Sequence, residues 1–534
     1  MSISKNIRSE GEKVSRAAGV VSLFTLLSRV LGLIRDMVIA ALFGSGLTAD
    51  AFFVAFRIPN LLRRLFAEGS LTIAFIPVFT EYLTRKGKKD AFEMARVILT
   101  FLSLALAVIT VLGVVFAPWI VRIQAFGFGG SGMKYDLTVL LTRITFPYIF
   151  FISLVAFFMG ILNSLRHFAA PAAAPILLNV GIIGGAFLIS PSLSEPIVGV
   201  AMGVFIGGVM QVALQIPWIM KSGLRLMPLW IPSHPAVRRI GRLMLPAVFG
   251  SAVYQFNQFM GTLLASFLPE GSISWLYYAD RVVQFPLGVF AIAISTAVLP
   301  SLSAHAAEED LDEFNRTLSH ALRLVFFITI PATLGLMVLG KPIISILFER
   351  GAFSAHATSM TCEALFYYTA GLWAFSGIRI LVSAFYALQD TKTPVKVAVA
   401  ALAVNIGLSL LLMGPLQHGG LALALSLASG VQFILLALFL YRRVKVLVFR
   451  PVLASVFKSG LASAVMALGV ITAKKGWFVF SLESGILHNS MSLTALVILG
   501  GGIYILCSWV LRAQELRSLM EMFHSPGRKK HDEP

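Results

Sequence analysis

Acidic residues are scarce in this chain, with 25 Asp and Glu against 43 Lys and Arg in 534 residues and a formal net charge of +18. Charge of either sign is thin as well, at 13% of residues against 57% hydrophobic ones, a balance that no water-soluble chain of this length carries without aggregating. The composition therefore predicts a polytopic membrane protein. Cysteine is nearly absent: Cys362 and Cys507 stand far apart in apolar sequence, which excludes a disulfide framework. The nine histidines show no zinc-ligand spacing, so no metal site is expected. A nucleotide-binding loop is missing too. Residues 335–341, GLMVLGK, begin like one, but Pro342 stands where Ser or Thr is required, and ATP hydrolysis in this chain is not expected. The short outer loops hold no Ser/His/Asp or paired-carboxylate constellation, so the chain reads as neither an enzyme nor a cofactor carrier. The basic excess does not point to nucleic acid either, because it lies in short loops rather than one patch.

Apolar runs of about 20 residues, the length that spans a bilayer, predict an all-α integral membrane protein with 14 transmembrane helices between residues 17 and 511. Alternate loops carry the lysines and arginines. One side has Arg85, Lys86, Lys88 and Lys89, then Lys221 to Arg242, then Arg442, Arg443 and Arg450, whereas the other has little beyond Lys134, Arg350, Lys474 and Lys475. Positive loops face the cytoplasm, so both termini are expected there. The basic start resembles a signal peptide, but the apolar stretch runs on past Arg29 and Arg35 without a small-residue cleavage site and is read as the first span. A repeat is also visible. Arg57 and Arg281 are separated by 224 positions, and Pro77 and Pro300, like Pro171 and Pro394, by 223. Six spans between equivalents give both halves the same orientation, a parallel repeat about an axis along the membrane normal. The expected organisation is a cytoplasmic segment 1–16, a six-helix lobe 17–220, a linker 221–240, a second six-helix lobe 241–441, two further helices within 442–511 and a basic tail 512–534.

The costliest residues are the arginines at membrane depth, each about 2.5 to 3.5 kcal/mol near a helix centre, so they mark a wet pathway or a bundle interior. Within residues 50–83, an ideal helix of about 100° per residue sets Arg57, Asn60, Arg64 and Glu68 on one stripe and leaves Arg63 roughly 100° from Arg64. Glu68, four residues on, neutralises Arg64, whereas Arg63 has no acid within a turn of its own helix. It either snorkels to the interface or awaits an anionic ligand. The first span adds Ser28, Arg29, Arg35 and Asp36; Arg29 and Asp36 share a face but lie roughly 10 Å apart along the axis. Asp50 opens the second span, and Asp280 and Arg281 lie in the eighth. Several guanidinium groups with few acids suit a ligand of several negative charges, such as a phosphate ester. The plainer alternative is an ion-pair network of Arg35/Asp36, Arg64/Glu68 and Asp280/Arg281.

The strings SRVLGLIRD, TADAFFVAFRIPNLLRRLFAEG, FPYIFFISL, SWLYYADR and QDTKTPVK closely resemble those of the MurJ/MviN lipid II flippases, within the multidrug/oligosaccharidyl-lipid/polysaccharide exporter superfamily. The resemblance covers about residues 17–441. It implies two six-helix lobes plus two helices that flank a groove for the polyprenyl tail. The implied work is transfer of lipid-linked peptidoglycan precursor, lipid II, from the inner to the outer leaflet of the bacterial cytoplasmic membrane, with cell-wall synthesis proteins as further partners. By the same resemblance Arg29, Arg35, Arg63 and Arg281 bind substrate, and Asp36, Asp50 and Glu68 fall in the family's motif positions; the pattern of charge along the helices adds Ser28, Asn60, Arg64 and Asp280 in support. The alternatives are export of another polyprenyl-diphosphate-linked oligosaccharide, a membrane-embedded transferase, and a non-transporting scaffold.

Overall fold

A backbone in hydrocarbon must satisfy its own hydrogen bonds, and apolar runs of this length do so as helices. In a computed structural model of the chain, which describes residues 2–64, 71–444, 449–476 and 485–518, the described residues form helices and no strand. In chain order these are α1 (Ser2–Phe43), α2 (Leu47–Leu62), α3 (Thr72–Arg85), α4 (Lys88–Val115), α5 (Ala117–Gln124), α6 (Met133–Thr145), α7 (Tyr148–Ser164), α8 (Ala169–Gly184) and α9 (Ile197–Lys221). There follow α10 (Pro235–Ala265), α11 (Ser272–Pro286), α12 (Ile292–Ala307), α13 (Leu311–Phe348), α14 (Ala355–Ala370), α15 (Leu372–Ala387), α16 (Lys392–Val444), α17 (Phe449–Gly476) and α18 (Gly485–Val510). Nine spans among the described residues are long and apolar enough to cross a membrane, or ten if the bent pair α14–α15 counts as one. α16 is two helices in succession: Gln417, at φ 47° and ψ −127°, breaks it, and Gly420 then packs on the Leu412 carbonyl, where a Cβ would come within 2.5 Å.

The described residues fall into two compact units. The first runs to Ser274 and takes in Arg350–Phe353. Its core is aromatic and aliphatic, with Phe75, Phe79 and Met94 from α3 and α4 against Phe157 and Ile161 of α7. Its tightest contact is the α8–α9 seam. A Cβ on Gly203 would meet the Gly181 carbonyl at 2.5 Å, and one on Gly185 the Gly199 carbonyl at 2.3 Å, so the two backbones touch directly. Small residues spaced four apart permit this approach in a membrane, where packing rather than water exclusion holds helices together. The connection from α9 to α10 is strapped to α4. Arg96 Nε donates to the Met227 carbonyl at 3.0 Å, the Leu229 N–H donates to Thr100 Oγ1 at 2.8 Å, and Trp230 stacks on Phe101 at 4.5 Å. The connection ends at His234, whose Nδ1 accepts the Ala236 N–H at 3.2 Å and so caps α10.

The second unit runs from Trp275 to Glu349 and resumes at Ser354. One core, built on Leu302, Val325, Phe326, Leu381, Phe385 and Leu436, joins α12, α13, α15 and α16. A second docks α17 and α18 on α13 through Phe327, Met466, Val470, Leu496 and Tyr504. The Tyr504 hydroxyl donates to the Phe327 carbonyl at 2.6 Å, giving a polar peg to an otherwise apolar contact. Asp390 caps the start of α16 by accepting the Thr393 N–H at 3.0 Å and the Thr393 hydroxyl at 2.7 Å, while Arg443 pairs with it at 2.5 Å. Burial there raises the carboxyl and the two Thr393 bonds with Arg443 outweigh it, so Asp390 titrates below the ordinary range.

Candidate functional site

On α1 the arginine nearest an acid is buried with it. Arg35 Nε and Nη2 donate to Asp36 Oδ1 at 3.0 and 2.6 Å, and Nη1 donates to Asn179 Oδ1 of α8 at 3.1 Å. Arg35 is 7% exposed and Asp36 1%. Adjacent helix positions do not face each other, but the long arginine side chain folds back to reach the carboxylate. Asn179 is itself held, its Nδ2 donating to the Ser28 carbonyl at 3.1 Å, so Ser28 contributes through its backbone. The Arg35/Asp36 pair of the alternative ion-pair network is thus formed. Arg29, two turns earlier, is exposed and makes no ion pair among the described residues.

On α2 the ideal wheel holds only to Leu62, because at Arg63 and Arg64 the helix widens to a five-residue hydrogen-bond turn. Arg63 Nε donates to Asn60 Oδ1 at 3.0 Å, and Arg57 Nη1 donates to Gln258 Oε1 of α10 at 3.0 Å. The buried Tyr148 ring, at the start of α7, lies within electrostatic range of both Arg63 and Arg35 and packs against Phe56 at 6.2 Å between centroids. The first unit therefore gathers Arg35, Asp36, Asn60 and Arg63 around α1, α2, α7 and α8. Arg64 is half-buried, and Glu68, its expected partner, lies outside the described residues.

Asp50 belongs to a different arrangement. It is 1% exposed, and its two oxygens accept the Gly271 N–H at 2.8 Å, the Ser274 N–H at 3.0 Å, the Ser274 hydroxyl at 2.7 Å and Lys134 Nζ at 2.8 Å. It thus caps the first turn of α11, where helix amides are otherwise unsatisfied. Glu270 Oε1 in turn accepts the Leu47 N–H at 2.6 Å, capping α2. Asp50 and Ser274 are 224 positions apart, and the starts of α2 and α11 are thus each capped by a carboxylate from the other half of the sequence. Beside them the Ala352 N–H donates to the Ala41 carbonyl at 2.8 Å.

In the second unit Arg281 Nη2 donates to the Tyr277 hydroxyl at 2.8 Å, with its guanidinium 5.0 Å from the Tyr277 ring centroid, and Asp280 accepts from Gln284. These contacts hold both side chains in place. Arg379, exposed midway along α15, is a further arginine in an apolar run that the sequence reading passed over. Asn179, Lys134 and Gln258 were missed as partners as well. The one available signal was the 224 spacing of Asp50 and Ser274. Among the described residues no group of three His, Cys, Asp or Glu is placed to hold a metal ion.

A family model described as "Lipid II flippase MurJ" matches residues 39–488. A probable lipid II flippase MurJ of Vibrio cholerae is 38% identical over 519 residues, 96% of this chain and 99% of the relative. A lipid II flippase MurJ of Burkholderia cenocepacia is 40% identical over 432 residues, 80% of this chain and 84% of the relative. Among solved structures, a lipid II flippase MurJ in an inward closed conformation superposes with a TM-score of 0.78 at 29% identity, covering 94% of this chain and 99% of that one. An inward-facing multidrug resistance transporter of the MATE family shares the fold with a TM-score of 0.68 at 14% identity, covering 80% and 98%.

Proposed function

The chain belongs to the MurJ family, and from that premise we propose that it carries lipid II across the bacterial cytoplasmic membrane, as a transporter rather than an enzyme. The observation that carries this reading is a near full-length match to relatives named as lipid II flippases. Supporting it is the set of arginines in helices α1, α2 and α11, of which Arg29 is exposed and Arg63 and Arg281 are oriented by neutral hydroxyl and amide oxygens. In this reading Arg29, Arg35, Arg63 and Arg281 bind the diphosphate and sugar headgroup. Guanidinium forks match phosphate oxygens and gain strength away from bulk water. The finer architecture is part of the proposal: 14 spans as two six-helix lobes in parallel repeat, two added helices for the polyprenyl tail, both termini in the cytoplasm, and alternating access that presents the headgroup to each face in turn. Asp36 and Asn179 position Arg35, while Asp50 acts through the helix starts it caps.

The test is complementation in cells depleted of their own lipid II flippase, with lipid II at the outer leaflet quantified. The chain restores it, and Arg29→Ala, Arg63→Ala and Arg281→Ala each lower it tenfold or more at equal membrane level, the loss of a charge-assisted contact of about 1.5 to 3 kcal/mol. Normal outer-leaflet lipid II in all three variants overturns the arginine assignment, and failure of the unaltered chain with the protein inserted overturns the cargo.

A further inference from the structure

After α18 ends at Val510 the chain turns on Arg512, which sits in the left-handed region at φ 49°. The Arg512 and Ala513 N–H groups donate back to the Trp509 and Ser508 carbonyls at 3.0 and 2.9 Å, the closing turn that helices usually make with glycine. This turn lays Gln514 and Glu515 over α13. There Arg323 Nε donates to Glu515 Oε1 at 2.5 Å and Nη2 to Gln514 Oε1 at 2.8 Å, and Glu515 is only 3% exposed. From α17, Lys458 Nζ reaches the Arg512 carbonyl at 3.4 Å, a long contact that leaves most of its donor capacity unused.

Between these groups is a cleft of about 170 Å³ lined by Arg323, Ser455, Lys458, Gln514 and Glu515. Ser455, one of the residues lining the cleft, is 4% exposed, and its hydroxyl has no hydrogen-bond partner among the described residues. A buried hydroxyl left unsatisfied costs about 1 to 3 kcal/mol, so the space beside it suits a group that supplies the missing bond. The Arg323 charge is met by Glu515, whereas the Lys458 charge has no carboxylate within ion-pair distance among the described residues. The ligand is therefore an anion with several acceptor oxygens.

The surroundings narrow its source. The cleft lies where the apolar run of α18 stops, the level of a headgroup layer, and exposed Arg450, Arg512 and Arg517 belong to the same end of these helices. Beside it Leu453, Phe457 and Trp509 are 63%, 74% and 68% exposed, an apolar surface that acyl chains cover and a free anion does not. The geometry points to a binding site for the phosphodiester of an anionic membrane lipid, with Lys458 and Ser455 donating to its oxygens and the acyl chains lying on Leu453 and Phe457.

The experiment uses the full-length, delipidated protein in detergent, titrated separately with dioleoylphosphatidylglycerol and dioleoylphosphatidylcholine, the first bound lipid being quantified by native mass spectrometry. Phosphatidylglycerol binds more tightly than phosphatidylcholine, Lys458→Gln weakens it about tenfold, and Ser455→Ala weakens it a few-fold. Lys475→Gln, at the far end of α17, leaves it unchanged. The proposal is overturned if the two lipids bind alike, if Lys458→Gln keeps wild-type affinity, if Lys475→Gln weakens binding as much, or if millimolar inorganic phosphate displaces the lipid completely. Unchanged thermal unfolding of Lys458→Gln in lipid-free detergent confirms that lost binding is not lost fold.

Discussion

Replacing Asp50 by Asn keeps the side chain's shape and removes its charge, which isolates what the carboxylate does. Four donors converge on it, from Gly271, from the backbone and hydroxyl of Ser274, and from Lys134. An amide has one acceptor oxygen, and its NH₂ must face a donor, so at least two of the four bonds are lost. Bonds to a charged acceptor contribute about 1.5 to 3 kcal/mol each, and leaving a buried partner charge unmatched costs about 3 to 5 kcal/mol. Lys134 is 19% exposed at its side chain and recovers part of that in water, which places the expected loss at about 3 to 4 kcal/mol. For a unit of this size about 1 kcal/mol lowers the Tm by 2 to 4 °C, so Asp50→Asn should unfold roughly 6 °C or more below the parent in one detergent. Adding Lys134→Met removes the stranded ammonium and should recover about half the deficit, a coupling that a double-mutant cycle reads directly. A shift under about 1 °C for Asp50→Asn, or strict additivity of the pair, would refute the capping account. Arg63→Ala, by contrast, should lose transport with little change in Tm.

The glycine seam gives a matched pair. Gly203→Ala places a methyl 2.5 Å from the Gly181 carbonyl and should destabilise the first unit by about 1 to 3 kcal/mol, whereas Gly184→Ala, with nothing within 4 Å, should be neutral in thermal unfolding. Tyr504→Phe removes the bond to the Phe327 carbonyl and should cost about 1 kcal/mol, measured the same way. His234 titrates below the ordinary histidine value of 6.5, chiefly because it is partly buried and further because Lys86 is near, with Glu93 opposing. A depressed folded value means that its neutral form, the one able to accept the Ala236 N–H, contributes stability fully above pH 6.5, and this is lost as pH falls through the folded value. Amide protection at the start of α10, taken relative to the intrinsic exchange rate at each pH, should therefore fall on acidification below pH 6.5, and His234→Asn, which caps without titrating, should abolish the change.

Much of the fold could be read from the chain because membrane helices announce themselves by length and hydropathy. The spacing linking Arg57 to Arg281 also links Asp50 to Ser274, which the structure brings into contact. The candidate site was legible one residue at a time but not in its partnerships. A helical wheel reports neighbours three or four positions away. Asn179 meets Arg35 across 144 positions and Lys134 meets Asp50 across 84, contacts that only helix packing creates. The wheel also assumed a uniform turn, and the widening at Arg63 and Arg64 defeats it where the charges are densest.

Where α8 and α9 meet, main chain lies on main chain with no side chains between. Such a joint has no rotamers to rearrange and no soft layer to absorb shear, so the two helices can only travel together. Any bending during a transport cycle must therefore be taken up away from this joint.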